Sequence, residues 1–127
     1  MNHLVLIFIG GGLGSLARFG LAKAFAPWSA MFPYGTLAAN VLACLVLGVF
    51  SGWATFRTGD AVLNYRTFVV AGFCGGFSTF STFSNESIQL LLADRWTEAT
   101  LNILVSIVLC FGAILLGMWI GKQFPAM

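Results

Sequence analysis

The chain has 127 residues, of which 59% are hydrophobic and only 8% are charged. A soluble domain carries about 25% charged residues, so this composition, with a mean hydropathy of +0.94, argues against a soluble globular enzyme. It also excludes a disordered chain, which needs low hydrophobicity and high net charge. The net charge of +2 is too small and too scattered to indicate nucleic-acid binding. The sequence therefore predicts a small integral membrane protein whose surroundings are the lipid bilayer.

Four apolar stretches predict four transmembrane helices, since one span needs about 20 residues. The predicted helices cover residues 4–26, 34–53, 67–93 and 98–121 of a single domain, residues 1–127. No basic residue precedes Leu4 closely enough to form a signal-peptide n-region, which disfavours a cleaved signal peptide. The polar segment from Ala54 to Arg66 predicts a loop. Because the apolar runs are continuous and do not alternate with polar residues, helices are favoured over a β-barrel.

The third predicted helix has the most unusual sequence. Gly75 and Gly76 are followed by a run of Ser and Thr, which favours a break near the middle of the membrane. Such a break frees backbone carbonyls, which are hard oxygen donors suited to a small cation. Phe77, Phe80 and Phe83 recur at intervals of three among these hydroxyls. Core packing is the ordinary explanation, but positive ring edges beside hydroxyls are also suited to a small anion.

Polar residues within the other spans form two stripes. Thr36 and Asn40 share one face of the second helix, and the fourth helix carries Asn102, Ser106 and Cys110 at intervals of four. Each could simply tighten helix packing, but two stripes in one small protein favour a shared polar path.

Two charged residues within the predicted spans have open roles. Glu86 could couple protons or be a helix-end acid facing water, and Arg18 could extend to the interface or attract anions into a vestibule.

The basic residues are divided almost evenly between the two ends of the predicted bundle. Arg57, Arg66 and Lys122 lie on the side of the amino terminus, whereas Lys23 and Arg95 lie on the other. The positive-inside rule therefore gives no clear orientation. Either a small sample hides a preference, or copies insert in both directions and pair as antiparallel dimers.

The sequence contains no recognisable set of catalytic residues. His3 is the sole histidine, so a Ser-His triad or a multi-His metal site within one chain is excluded. Three widely spaced cysteines read as small buried residues. The run Gly10-Gly11-Gly12-Leu13-Gly14 lacks the residues of a nucleotide loop, and Gly10 and Gly14 instead fit GxxxG helix packing. We therefore expect no enzymatic activity.

Three sequence blocks resemble the signature blocks of the CrcB/Fluc fluoride channels. They are GGGLGSLARF (residues 10–19), GTLAANVLACLVLG (residues 35–48) and GFCGGFSTFSTFSNE (residues 72–86), and they occur in the expected order. The resemblance covers essentially the whole chain. It implies a multi-pass protein of the bacterial inner membrane that forms a dual-topology antiparallel homodimer with two pores. The implied activity is passive export of fluoride, which lowers cytoplasmic fluoride.

The resemblance also assigns roles to residues. Phe80 and Phe83 are implied to be pore-lining rings whose edges face fluoride, and Asn40 an amide that binds the ion. The implied fluoride pathway draws on the second, third and fourth helices: Thr36, Asn40, Phe80, Ser81, Phe83, Ser84, Glu86 and Ser106. Arg18 matches a basic residue near an aqueous vestibule. Backbone carbonyls of Gly75 and Ser78 from both subunits are implied to hold a structural Na⁺ at the dimer interface.

The chain departs from the family pattern at three positions. Ser78 stands where Thr is common, which a carbonyl ligand should tolerate. Asn102 stands where Tyr can occur and Cys110 where Ser is expected, so the outer part of the fourth-helix polar track is in doubt. The main alternative function is a small dual-topology, proton-coupled drug exporter. That class uses an acid in its first span, whereas residues 4–26 contain none.

Overall fold

The computed structural model describes residues 2–124, which form helices and short connections without any strand in that range. Helix α1 covers His3–Phe25 and is followed by a 3₁₀ turn, Ala26–Trp28; α2 covers Tyr34–Ala54. The third segment contains α3 (Asp60–Arg66), a π-helical stretch (Thr67–Cys74), α4 (Gly75–Phe77) and, after a break, α5 (Phe80–Leu92). The last helix, α6, covers Trp96–Lys122. The described part of the chain is thus all-α, as predicted.

Three of these stretches are uninterrupted helices that are long and apolar enough to cross a membrane: His3–Trp28, Tyr34–Ala54 and Trp96–Lys122. Their positions agree with the first, second and fourth predicted helices, although α6 begins at Trp96, before the predicted residue 98. The exterior of the bundle is strongly apolar, with side chains such as Phe8, Val108 and Leu115 largely exposed. Because an apolar surface of this extent is not stable in water, the fold is that of a membrane protein.

The third segment differs from the prediction at its start. The structure continues the helix back to Asp60, so the loop predicted for Ala54–Arg66 is wrong for residues 60–66. Gly59, at φ 113°, ends the connection, and Asp60 and Arg66 lie in the first and last turns, where their charges complement the helix dipole. Helical geometry then ends at Ser78 and Thr79, both extended (ψ 157° and 110°), directly after the glycine pair. The predicted break is present.

Close backbone contacts at glycines hold the helices together in two pairs, α1 with the third segment and α2 with α6. The helices of each pair run parallel, and we call each row of glycine contacts a glycine seam. On α1, a Cβ at Gly10 would lie 2.5 Å from the Phe68 carbonyl oxygen, so only glycine allows this approach to the π-helical stretch. On α6, a Cβ at Gly117 would lie 2.5 Å from the Leu45 carbonyl oxygen of α2. This confirms the helix-packing role of Gly10, since backbones approach closely where no side chain intervenes.

The buried core is small, as befits a protein whose exterior is apolar. Phe77 packs with Ala39 and Ala43 of α2, and Phe73 lies against it with ring centroids 5.3 Å apart. Of the three phenylalanines at intervals of three, Phe77 is therefore a core residue, only 6% exposed. Its position directly before the break ties α4 to α2.

The Arg95 side chain joins two loops at one end of the bundle, the end at which Lys23 also lies. Arg95, directly before α6, donates from Nη1 to the Ala30 carbonyl at 2.9 Å and from Nη2 to the Met31 carbonyl. It also forms an ion pair with Glu98, with Nε and Oε1 3.2 Å apart. The loop between α1 and α2 is thereby fixed to the start of α6.

Candidate functional site

The break in the third segment is stabilised by Asn40 of α2. The Thr79 backbone N–H donates to Asn40 Oδ1 at 2.7 Å, and Asn40 Nδ2 donates to the Thr79 carbonyl at 3.2 Å. In a continuous helix that N–H would bind the Gly75 carbonyl. The side-chain amide therefore satisfies both backbone groups of Thr79 and releases the Gly75 carbonyl from its helical partner. Asn40 has one Nδ2 hydrogen left for another ligand.

Thr79 was not predicted as a site residue, yet it organises the break. It is buried and caps α5, because its Oγ1 accepts from the Thr82 N–H at 3.2 Å. The same hydroxyl lies 3.2 Å from Ser81 Oγ. Thr is a favoured N-cap residue, so a Thr directly after the predicted break could have identified Thr79 from the sequence.

A cavity of about 290 Å³, here called the central pocket, lies between α2, the break and α6. It contains five of the predicted site residues beside several others, and its lining comprises Asn40, Cys44, Ser78, Thr79, Phe80, Phe83, Ser106, Ile107, Cys110 and Phe111. No Lys, Arg, Asp or Glu is among these residues. The pocket therefore offers hydroxyls, an amide and aromatic rings without a formal charge.

Two of the three phenylalanines that line the central pocket, Phe80 and Phe83, are neighbours on α5. The centroids of Phe80 and Phe83 are 5.6 Å apart, with the ring planes at 42°. Phe80 is 78% exposed, whereas Phe83 is half-buried. Ring edges carry partial positive charge, so the two rings add weak anion-attracting groups to the hydroxyl and amide donors.

Ser106 contributes a hydroxyl to the central pocket that no described residue satisfies. Its side chain is buried, and within residues 2–124 its Oγ has no hydrogen-bond partner. A buried hydroxyl without a partner costs free energy comparable to a lost hydrogen bond. Ser106 therefore brings an unsatisfied hydroxyl to the wall of the pocket.

Asn102, the other predicted stripe residue of α6, binds within the protein and lines neither cavity described here. It is 1% exposed, and its Nδ2 donates to Ser87 Oγ at 3.0 Å, while Ser87 Oγ donates to the Phe83 carbonyl at 2.8 Å. This chain of hydrogen bonds fixes α5 against α6 at the residue that carries the Phe83 ring. Asn102 therefore serves helix packing, which was the simpler of the two expectations.

A second cavity, here called the vestibule, has a volume of about 420 Å³ and brings Arg18, Thr36 and Glu86 together. Thr36 Oγ1 donates to Glu86 Oε1 at 2.8 Å, so the two residues on the shared face of α2, Thr36 and Asn40, both reach the third segment. Glu86 Oε2 is buried and has no partner within residues 2–124. Thr79 lines this cavity as well as the central pocket.

Three predicted site residues lie outside both cavities. Ser81 is exposed and lies beside Thr79, Ser84 is half-buried, and Gly75 is exposed on the surface of the bundle. Ser78 does line the central pocket, but its hydroxyl donates to the Cys74 carbonyl at 2.8 Å. Its side chain is thus engaged within the helix before the break.

Comparison with known proteins agrees with this architecture. Residues 5–118 match the family described as CrcB-like protein, Camphor Resistance (CrcB). A protein of Escherichia fergusonii named fluoride-specific ion channel FluC is 42% identical over 127 residues, covering 99% of this chain and 98% of the relative. Proteins of the same name from Phocaeicola vulgatus and Bacteroides fragilis are 40% and 36% identical, covering 96% and 98% of this chain. The chain belongs to the CrcB-like protein family.

Proposed function

We propose that this protein is a fluoride-selective ion channel that lets fluoride leave the cell passively. The observation that carries the proposal is the composition of the central pocket: hydroxyls, an amide and three phenylalanine rings, among them a Ser106 hydroxyl without a partner within residues 2–124. The relatives at 36–42% identity over nearly the whole chain are named fluoride-specific ion channels. The protein is a transporter and not an enzyme.

The donor set suits fluoride for a physical reason. Fluoride is small and strongly hydrated, so a selective pore must replace several water molecules with donors at once. Asn40, Ser106 and the ring edges of Phe80 and Phe83 supply such donors around one cavity. Since no lysine or arginine lines the central pocket, the ion is not trapped by a fixed opposite charge.

The vestibule provides an approach to this pocket. Arg18 lines it and forms no ion pair with Glu86, so its positive charge is available to raise the local concentration of anions. Thr36 and Glu86 line the vestibule, whereas Ser106 lines the central pocket, so we assign them to the part of the proposed path before the pocket. Ser81 and Ser84 extend the path along α5 outside the two cavities.

We further propose four spans in each chain and an antiparallel homodimer as the conducting unit. The third segment crosses the membrane in two parts, α3 to α4 and α5. In a single chain Phe80 is 78% exposed beside the open central pocket. A second copy would cover that ring and close the pocket. The near-even division of basic residues between the two ends is consistent with both insertion directions in a bacterial inner membrane.

A structural Na⁺ at the dimer interface fits the residues at the break. Gly75 is exposed, and its carbonyl lacks its helical partner because the Thr79 N–H binds Asn40. A Cβ at Gly75 would meet only the Val70 carbonyl, at 3.8 Å, so the backbone there is open to approach. Carbonyl oxygens of Gly75 and Ser78 are the hard donors that Na⁺ prefers. Bound there, the ion would neutralise carbonyl dipoles that face each other across the interface.

Nothing favours the alternative of a proton-coupled drug exporter. The relatives are named fluoride channels, and α1 carries no acid. Glu86, the acid of α5, accepts a hydrogen bond from Thr36 at one carboxylate oxygen.

Fluoride efflux from liposomes tests the function directly. Purified protein is reconstituted into liposomes loaded with potassium fluoride, and efflux is measured with a fluoride electrode after addition of a potassium ionophore and without a pH gradient. We expect rapid fluoride efflux and no chloride efflux. Absence of fluoride efflux, combined with proton movement that depends on a cationic drug, would establish the exporter instead.

A further inference from the structure

Two cysteines from different helices meet in the central pocket. Cys44 of α2 and Cys110 of α6 both line it. Both residues are half-buried free thiols. The third cysteine, Cys74, does not line the pocket, and its Sγ donates to the Ala43 carbonyl, next to Cys44, at 3.6 Å.

The packing of α2 against α6 fixes this juxtaposition. The two helices run parallel, and glycines of α2 spaced by four pack on residues of α6 spaced by four: Gly48 on Ile114 and Gly52 on Met118. One further step of four toward the amino ends of both helices brings Cys44 level with Cys110. The pairing is thus a consequence of the glycine seam.

We propose that Cys44 and Cys110 form a two-coordinate binding site for a soft, thiol-seeking d¹⁰ cation, with Hg²⁺ as the probe. Thiolate sulfur is the protein ligand that soft metal ions select. Binding replaces the two S–H protons by two Hg–S bonds and releases both protons, and no atom changes oxidation state. The resulting bis-thiolate is neutral, so it adds no net charge to the interior of the bundle.

The surroundings select for two-coordinate ions. Within residues 2–124 no group of three or more His, Cys, Asp or Glu side chains is placed to hold a metal ion. Zinc, which takes four ligands in structural sites, therefore lacks the donors it needs. A cation that needs only two sulfur ligands finds both of its donors here.

Occupation of this site has a consequence for transport, which rests on the proposed fluoride pathway. Asn40 lies one turn from Cys44, and Ser106 lies one turn from Cys110, in the wall of the same 290 Å³ cavity. A heavy ion bridging the two sulfurs would therefore fill space beside the donors assigned to fluoride. We expect Hg²⁺ to block fluoride flux.

The experiment combines intact-protein mass spectrometry with flux measurement on the full chain. Protein is treated with mercuric chloride, and Cys74→Ser serves as the matched control for Cys44→Ser and Cys110→Ser. Wild type and Cys74→Ser should each gain one mercury with loss of two protons, and Cys44 and Cys110 should resist alkylation. The other two variants should lack this adduct.

Flux gives the second readout. Relative to its own untreated flux, Cys74→Ser should be blocked like wild type, whereas Cys44→Ser and Cys110→Ser should need at least about tenfold more Hg²⁺. The block should be reversed by excess dithiol. Mercury carried as separate chloride-bearing adducts on single cysteines would overturn the site. A bis-thiolate adduct without loss of flux would uphold the site and refute its position on the conducting path.

Discussion

Replacement of Asn40 by alanine is the most direct test of how the break is held. The change removes two hydrogen bonds, of 2.7 and 3.2 Å, and leaves the N–H and carbonyl of buried Thr79 without partners. Net hydrogen-bond contributions are about 0.5–1.5 kcal/mol each, and interhelical bonds in membranes average about 0.6 kcal/mol. We therefore expect Asn40→Ala to lower the free energy of unfolding by about 1–3 kcal/mol, or roughly 5- to 150-fold in the equilibrium constant.

The assay measures unfolding in detergent micelles by circular dichroism with increasing denaturant, alongside fluoride efflux from liposomes. Leu42→Ala, on the exposed face of the same helix, is the control and should change stability less. If Asn40→Ala were as stable as the wild type, the idea that this amide stabilises the break would be refuted.

Three further predictions concern the pocket and the helix seam. Ser106→Ala should reduce fluoride efflux while leaving unfolding unchanged or slightly harder, because it removes a buried hydroxyl without a partner within residues 2–124; a clear loss of stability would show that the hydroxyl is already satisfied. Phe80→Ile and Phe83→Ile should each cut efflux at least about tenfold while the protein stays assembled on size-exclusion chromatography, and unchanged efflux would contradict the ring-edge role. Gly117→Ala should destabilise the fold by about 1–3 kcal/mol because its Cβ would lie 2.5 Å from the Leu45 carbonyl oxygen, whereas Gly112→Ala, in open space, should not; equal unfolding curves would argue against the seam.

The sequence predicted most of the helices because their signal is strong and local. Continuous apolar runs gave α1, α2 and α6 to within a few residues, and the glycine pair located the break. The start of the third segment was missed since polar residues such as Asp60 and Asn64 are also typical of loops. The π-helical stretch over Thr67–Cys74 depends on how the chain is accommodated between its neighbours, which local composition does not encode.

The sequence predicted many of the residues of the site but not the hydrogen bonds that they form. Thr36 and Asn40 were placed correctly on one face because helical spacing fixes direction. Their partners, Glu86 and the Thr79 backbone, lie 50 and 39 positions away and depend on tertiary packing. Asn102 was grouped with Ser106 by the same spacing, yet Ser87 of α5 lies close enough to bind its amide.

Thr79 forms part of the wall of both cavities, so its peptide unit lies where the two cavities adjoin. On the proposed path, an ion moving from the vestibule to the central pocket passes the Thr79 peptide unit, whose N–H and carbonyl are both bound by Asn40. The position of that peptide therefore depends on α2 as well as on the cap that Thr79 gives to α5. Natural variation or design that aims to change the passage can act on the second helix, one layer behind the surface that the ion would meet.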